Sequence, residues 1–149
     1  MSNDVKNIVT GLIELYGTND PFELCKCLDI CLLIHDLGNE LYGFFQRTDN
    51  GTEILHINSN LDYYMQKYIC CHELGHAITQ PELSISFFIE NPLVIKNKFE
   101  IEADTFAAEL LLRDILLEEY ENYTIEQIAA TENVPVRLVE LKLNNLSIF

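Results

Sequence analysis

At 149 residues the chain suits one domain with one hydrophobic core, and a hydrophobic fraction of 48% calls for a packed fold rather than disorder. A formal net charge of −15 repels a phosphate backbone and argues against nucleic acid as a direct partner. No apolar run is long enough to span a membrane, and the polar opening residues 1–7 lack a secretory pattern, so a cytoplasmic protein is expected. Cys25, Cys27, Cys31, Cys70 and Cys71 are odd in number, lie in apolar runs and form no Cys-x-x-Cys pair. They read as buried thiols of a reducing compartment rather than a disulfide framework, with a cysteine-rich metal site the less favoured alternative.

In chain order, Asp4 to Tyr16 reads as a helix with Val5, Ile8, Val9, Leu12, Ile13 and Tyr16 on one face, ended by Gly17. Asp20-Pro21 is an N-cap followed by proline at the first helical position, opening a short helix that stops near Asp29. Three strands follow: Ile30 to His35, Leu41 to Gln46, and Glu53 to Asn58. The last two are joined across the turn signal Thr48-Asp49-Asn50-Gly51. From Leu61 the period becomes helical, with Leu61, Met65, Tyr68, His72 and His76 along one face until Pro81. Residues 82–96 fit a short helix or a loop, broken at Asn91-Pro92. A strong helix covers about Asn97 to Leu112, with Glu100, Ala103, Asp104, Ala107 and Leu111 on one face. Two shorter helices end the chain, the first capped by Thr124 and the second set off by Val134-Pro135. The expected architecture is α+β and mostly helical, with a small, mostly antiparallel three-stranded sheet and a C-terminal helix pair. One domain would comprise residues 1–60, 61–112 and 113–149.

The chemistry concentrates in His72-Glu73-Leu74-Gly75-His76. The two histidines are four residues apart on one helix, so both rings leave the same face and can reach one metal ion. Glu73 points about 100° around the helix, where it can act as general base toward a metal-bound water without being a ligand. Zn²⁺ is the expected ion, one per chain; a His₂Glu site also accepts other divalent ions. A catalytic site needs a third protein ligand and an open position. Glu100 is the choice, with Asp104 one turn on to hold the free ring nitrogen of a ligand histidine; Asp104 as direct ligand is the alternative. Glu102 faces away and is expected in solvent. Gly75 allows another segment to approach this helix closely.

Three segments carry a resemblance: Tyr68 to Ile78 around the His-Glu-x-x-His motif, Glu100 to Leu111, and Thr124 to Ala130 followed by Val134-Pro135. The chain resembles the ImmA/IrrE family of metallopeptidases over roughly residues 50–143. One departure is Arg113-Asp114 after Leu112, where the family often has proline. The resemblance implies a gluzincin-like core, with His72, His76 and Glu100 as metal ligands and Glu73 as base. It also implies an anti-repressor encoded on a phage or mobile element, cleaving a helix-turn-helix transcriptional repressor. The tail itself resembles half of a helix-turn-helix, but Glu118, Glu119, Glu121, Glu126, Glu132 and Glu140 argue against DNA binding and favour core closure or repressor docking.

Other residues fit plainer roles. His35 and His56 read as half-buried histidines in or beside strands. Tyr63 and Tyr64 read as packing residues, with oxyanion stabilisation the sharper alternative. Phe87-Phe88-Ile89 fits core burial or a cleft wall. The competing function is a non-proteolytic module, stabilised by metal, that inactivates a repressor by association; an intact Glu73 favours catalysis, because a structural metal needs no base.

Overall fold

The structure, a computed structural model, describes residues 2–82, 85–89, 98–112 and 116–146. In chain order they form α1 (Ser2–Tyr16), α2 (Pro21–Cys27), β1 (Cys31–His35), β2 (Leu41–Arg47), β3 (Glu53–Asn58), α3 (Tyr63–Thr79), β4 (Ile85–Ile89), α4 (Lys98–Leu111), α5 (Leu116–Glu119), α6 (Ile125–Glu132) and α7 (Val136–Leu146). The α+β architecture is the one expected. No helix among the described residues is long and apolar enough to cross a membrane.

Local chemistry sets the helix ends. Asp20 accepts from Phe22 N at 2.9 Å ahead of Pro21, and Asp62 accepts from Met65 N at 2.8 Å to start α3. Thr124 and Gln127 form a reciprocal capping box on α6, and Asn133 closes that helix in the left-handed conformation. Gly17 turns the chain out of α1 at φ 70°.

The sheet runs β1-β3-β2-β4. The expected hairpin is present, with Phe45 opposite Leu55 and Gly43 opposite Ile57. Two features correct the sequence reading. Residues 85–89, expected as short helix or loop, form a fourth strand antiparallel to β2. That strand supplies partners for the backbone groups along the outer edge of β2. And β1 pairs with β3 in parallel, so the chain crosses over β3 to reach β2. The buried Asn58 holds this crossover: its Nδ2 donates to Gly38 O and Leu41 O, both at 2.8 Å, while its Oδ1 accepts from Leu37 N at 3.2 Å.

The inner face of the sheet presents Phe45, Leu55 and Ile57, all fully buried, toward α3. A Cβ on Gly43 would sit 2.6 Å from His56 O and 2.7 Å from Ile69 Cγ2, so only glycine lets β2 come this close to α3. α3 in turn lies between the sheet and α4, and every residue from Tyr68 to Ala77 is buried. α1 and α7 also pack on α4. The cysteines divide: Cys25, Cys70 and Cys71 are buried thiols, with Cys25 Sγ 3.8 Å from Cys70 Sγ, whereas Cys27 and Cys31 are exposed. The last two close α2 and open the edge strand β1, so their apolar sequence surroundings do not become core. Arg113-Asp114 and part of the 82–96 segment lie outside the described residues.

Candidate metal centre

The site forms where α3 crosses α4. Gly75 makes the approach close: a Cβ there would lie 3.1 Å from both Ala103 O and Phe106 Cβ. This is the close contact expected of Gly75, and the other segment is α4. It brings His72, His76 and Glu100 together, with ligand atoms all within 4.8 Å of one another. His72 Nε2 lies 2.9 Å from Glu100 Oε2, His76 Nε2 lies 3.0 Å from Glu100 Oε1, and the two Nε2 atoms are 3.2 Å apart. Both histidines are buried, while Glu100 keeps 25% of its side chain exposed, so the cluster is reached from the Glu100 side.

The outward nitrogens are also engaged. His72 Nδ1 donates to Asp104 Oδ1 at 2.7 Å, and His76 Nδ1 donates to Gln80 Oε1. Gln80 Nε2 donates to Phe99 O at 3.0 Å, tying the end of α3 to the start of α4. With each Nδ1 turned outward, both rings present Nε2 to the same point. Four-coordinate zinc with bonds of about 2.0–2.1 Å places its ligand atoms about 3.3 Å apart, so the observed spacings need only a slight expansion to admit the ion. Two imidazoles and a carboxylate are a suitable donor set, and the residues fit a divalent metal.

Electrostatics agree. Burial opposes a charge on His72, but Asp104 and Glu100 accepting from its ring outweigh it and lift its pKa to about 10 in the absence of metal. Burial also opposes ionisation of Glu100, yet hydrogen bonds from His72 and His76 hold it well below the usual carboxylate range. Asp104 is lowered likewise against burial, through His72, Tyr68 and Arg137. Positive charge is thus favoured at the point where the Nε2 atoms and Glu100 meet. Glu73 is fully buried and near enough for its charge to favour protonated His72.

Three residues join the site that sequence reasoning did not assign to it. Tyr68 Oη donates to Asp104 Oδ1 at 2.8 Å, Gln80 holds His76, and Arg137 of α7 pairs with Asp104 Oδ2. A signal existed for two of them: Tyr68, His72, His76 and Gln80 repeat every four residues and form one stripe. Other candidates sit elsewhere. His35 is exposed and pairs with half-buried His56, Nε2 to Nδ1 at 3.0 Å, on the sheet. Tyr63 and Tyr64 are exposed at the start of α3. Glu102 is half-buried rather than solvated, with Gln80 Nε2 3.4 Å from its Oε1. Phe87, Phe88 and Ile89 run along β4, opposite Phe44, Gly43 and Leu41.

Residues 25–144 match the peptidase family described as the IrrE N-terminal-like domain. An uncharacterized immunity region protein 2 of Bacillus phage phi105 is 38% identical over 140 residues, covering 93% of this chain and 88% of that protein. Metallopeptidase ImmA of Bacillus subtilis (strain 168) is 35% identical over 154 residues, covering 99% of this chain and 89% of the relative. With a family match across most of its length and relatives of this identity and coverage, the chain belongs to the ImmA/IrrE family of metallopeptidases.

Proposed function

We propose that the protein is a zinc-dependent endopeptidase that cleaves a helix-turn-helix transcriptional repressor in the cytoplasm and so derepresses phage or mobile-element genes. The observation that carries the metallopeptidase reading is the convergence of His72 Nε2, His76 Nε2 and the Glu100 carboxylate, with Glu73 buried next to His72 in the chain. The repressor as target draws on the immunity-region name of the phage relative. The buried thiols Cys25, Cys70 and Cys71 suit a reducing compartment.

In this reading His72, His76 and Glu100 hold zinc, which when bound supplies a Lewis acid that acidifies water and polarises the scissile carbonyl. Glu73 takes a proton from the attacking water and returns it to the leaving amine. Asp104 and Gln80 fix the ring orientation of His72 and His76 so that both Nε2 atoms stay inward. The test pairs wild type with Glu73→Gln, each incubated with the repressor encoded beside the gene. Wild type is expected to cut the repressor and to stop when zinc is chelated. Glu73→Gln should keep its zinc and lose about 10²–10⁴-fold in rate. Cleavage that persists in Glu73→Gln or after chelation refutes the mechanism. Repressor inactivated equally by both proteins without cleavage would establish the association-only alternative.

A further inference from the structure

Asp104 is held from two sides. Its Oδ1 accepts from Tyr68 Oη and His72 Nδ1, at 2.8 and 2.7 Å, while its Oδ2 faces the guanidinium of Arg137. Arg137 comes from α7, far along the chain, and its arrival is set by register. A second buried ion pair, Lys142 Nζ to Glu109 Oε2 at 2.6 Å, links the same two helices. Both pairs join residues 33 positions apart, so α7 is pinned to α4 at two points along its length. The two cations of α7 are turned inward to α4 carboxylates.

Charge counting gives the arginine a role. Glu73, Glu100 and Asp104 are three carboxylates in one mostly buried neighbourhood. A divalent cation balances two of them, and Arg137 supplies the third positive charge. A buried carboxylate deprived of its counter-charge is strongly unfavourable. It turns toward any other donor or water within reach, and His72 then loses its fixed acceptor. We infer that Arg137 is a positioning residue of the metal centre, acting through Asp104, so that α7 is part of the active site. This rests on the zinc reading proposed above.

The test measures zinc affinity of the full chain by competition with a chromophoric chelator, together with the visible spectrum of the cobalt-loaded protein. Arg137→Met is expected to bind zinc about 10–100-fold more weakly and to alter the cobalt spectrum. Arg137→Lys, which keeps the charge, is expected to recover most of the affinity. Equal affinity in wild type and Arg137→Met overturns the inference, as does a lysine variant as weak as the methionine one. If Arg137→Met does not fold, Asp104→Asn is compared with Asp104→Asn/Arg137→Met, which removes both charges. Equal affinities are expected there, because Arg137 acts only through Asp104; a further loss overturns the inference. A wild type that takes up no zinc overturns instead the metallopeptidase reading beneath it.

Discussion

Two pairs of histidines sit in this chain, and their geometry is nearly the same. The rings of His72 and His76 are 4.8 Å apart at 81°, and those of His35 and His56 are 5.2 Å apart at 65°. The closest nitrogens are 3.2 Å apart in the first pair and 3.0 Å in the second. What differs is where the remaining nitrogens point. On the sheet, His35 Nε2 faces His56 Nδ1 and His56 Nε2 faces Gln46 Oε1 at 3.2 Å, so the protons line up in a chain. His56 also stacks on Phe44 with centroids 4.0 Å apart. In the helix pair both Nδ1 atoms diverge to Asp104 and Gln80, and both Nε2 atoms converge on Glu100. The pKa values separate accordingly. Burial and then the neighbouring His35 push His56 down, whereas two carboxylates lift His72 to about 10 against burial. Ring proximity alone does not bring three donor groups to one point; diverging acceptors and a converging carboxylate do.

That contrast can be broken most sharply at Glu100. Glu100→Ala should weaken zinc binding by about 10²-fold or more, beyond the loss typical of a residue that only orients a ligand. His56→Ala, by comparison, should leave zinc stoichiometry unchanged. Undiminished affinity in Glu100→Ala, measured by chelator competition, would exclude Glu100 as the third ligand. A smaller effect is expected at the orienting carboxylate itself: Asp104→Asn should cost about 10–100-fold in zinc affinity, with cobalt-substituted spectra reporting a changed ligand field.

pH separates the two pairs again, in the metal-free protein. His72 has a folded pKa raised to about 10, so its contribution to stability is complete below its ordinary value of 6.5 and is lost as pH rises toward 10. Glu100 and Asp104 are lowered, so their contributions are present above the usual carboxylate range and are lost on acidification. His56 is also lowered, and for a histidine this costs stability as pH falls below 6.5. Thermal unfolding should therefore show an alkaline decline between about pH 6.5 and 10 that shrinks in His72→Gln. A decline that survives this substitution in full would contradict the assignment. The smallest effect is at His35, which is exposed: His35→Gln should leave zinc content and melting temperature unchanged, and a loss of zinc would refute the division between the two pairs.

Most of the site could be read in the sequence because its main parts are local. His72, Glu73 and His76 share one helical turn, and Glu100 and Asp104 share another; helical spacing alone puts each set on the faces that meet. Gly75 marked the close contact, which proved to be with Ala103 and Phe106. Gln80 continues the four-residue stripe of Tyr68, His72 and His76, but a glutamine beside a proline reads first as a helix end. Arg137 left no local trace, because its partner lies 33 residues earlier and only the docking of α7 on α4 joins them. β4 was missed for a related reason: a short apolar segment becomes a strand when an edge awaits it, and that edge belongs to β2. The parallel pairing of β1 with β3 likewise depends on the crossover that Asn58 fastens from a distance.

X-ray absorption spectroscopy of the zinc-loaded protein tests the ligand assignment most directly. The expected result is a shell of nitrogen and oxygen only, at about 2.0–2.1 Å, with two imidazole scatterers that fall to one in His76→Ala. A sulfur contribution at about 2.3 Å, placing the metal on cysteines, or an unchanged imidazole count in His76→Ala, would contradict it.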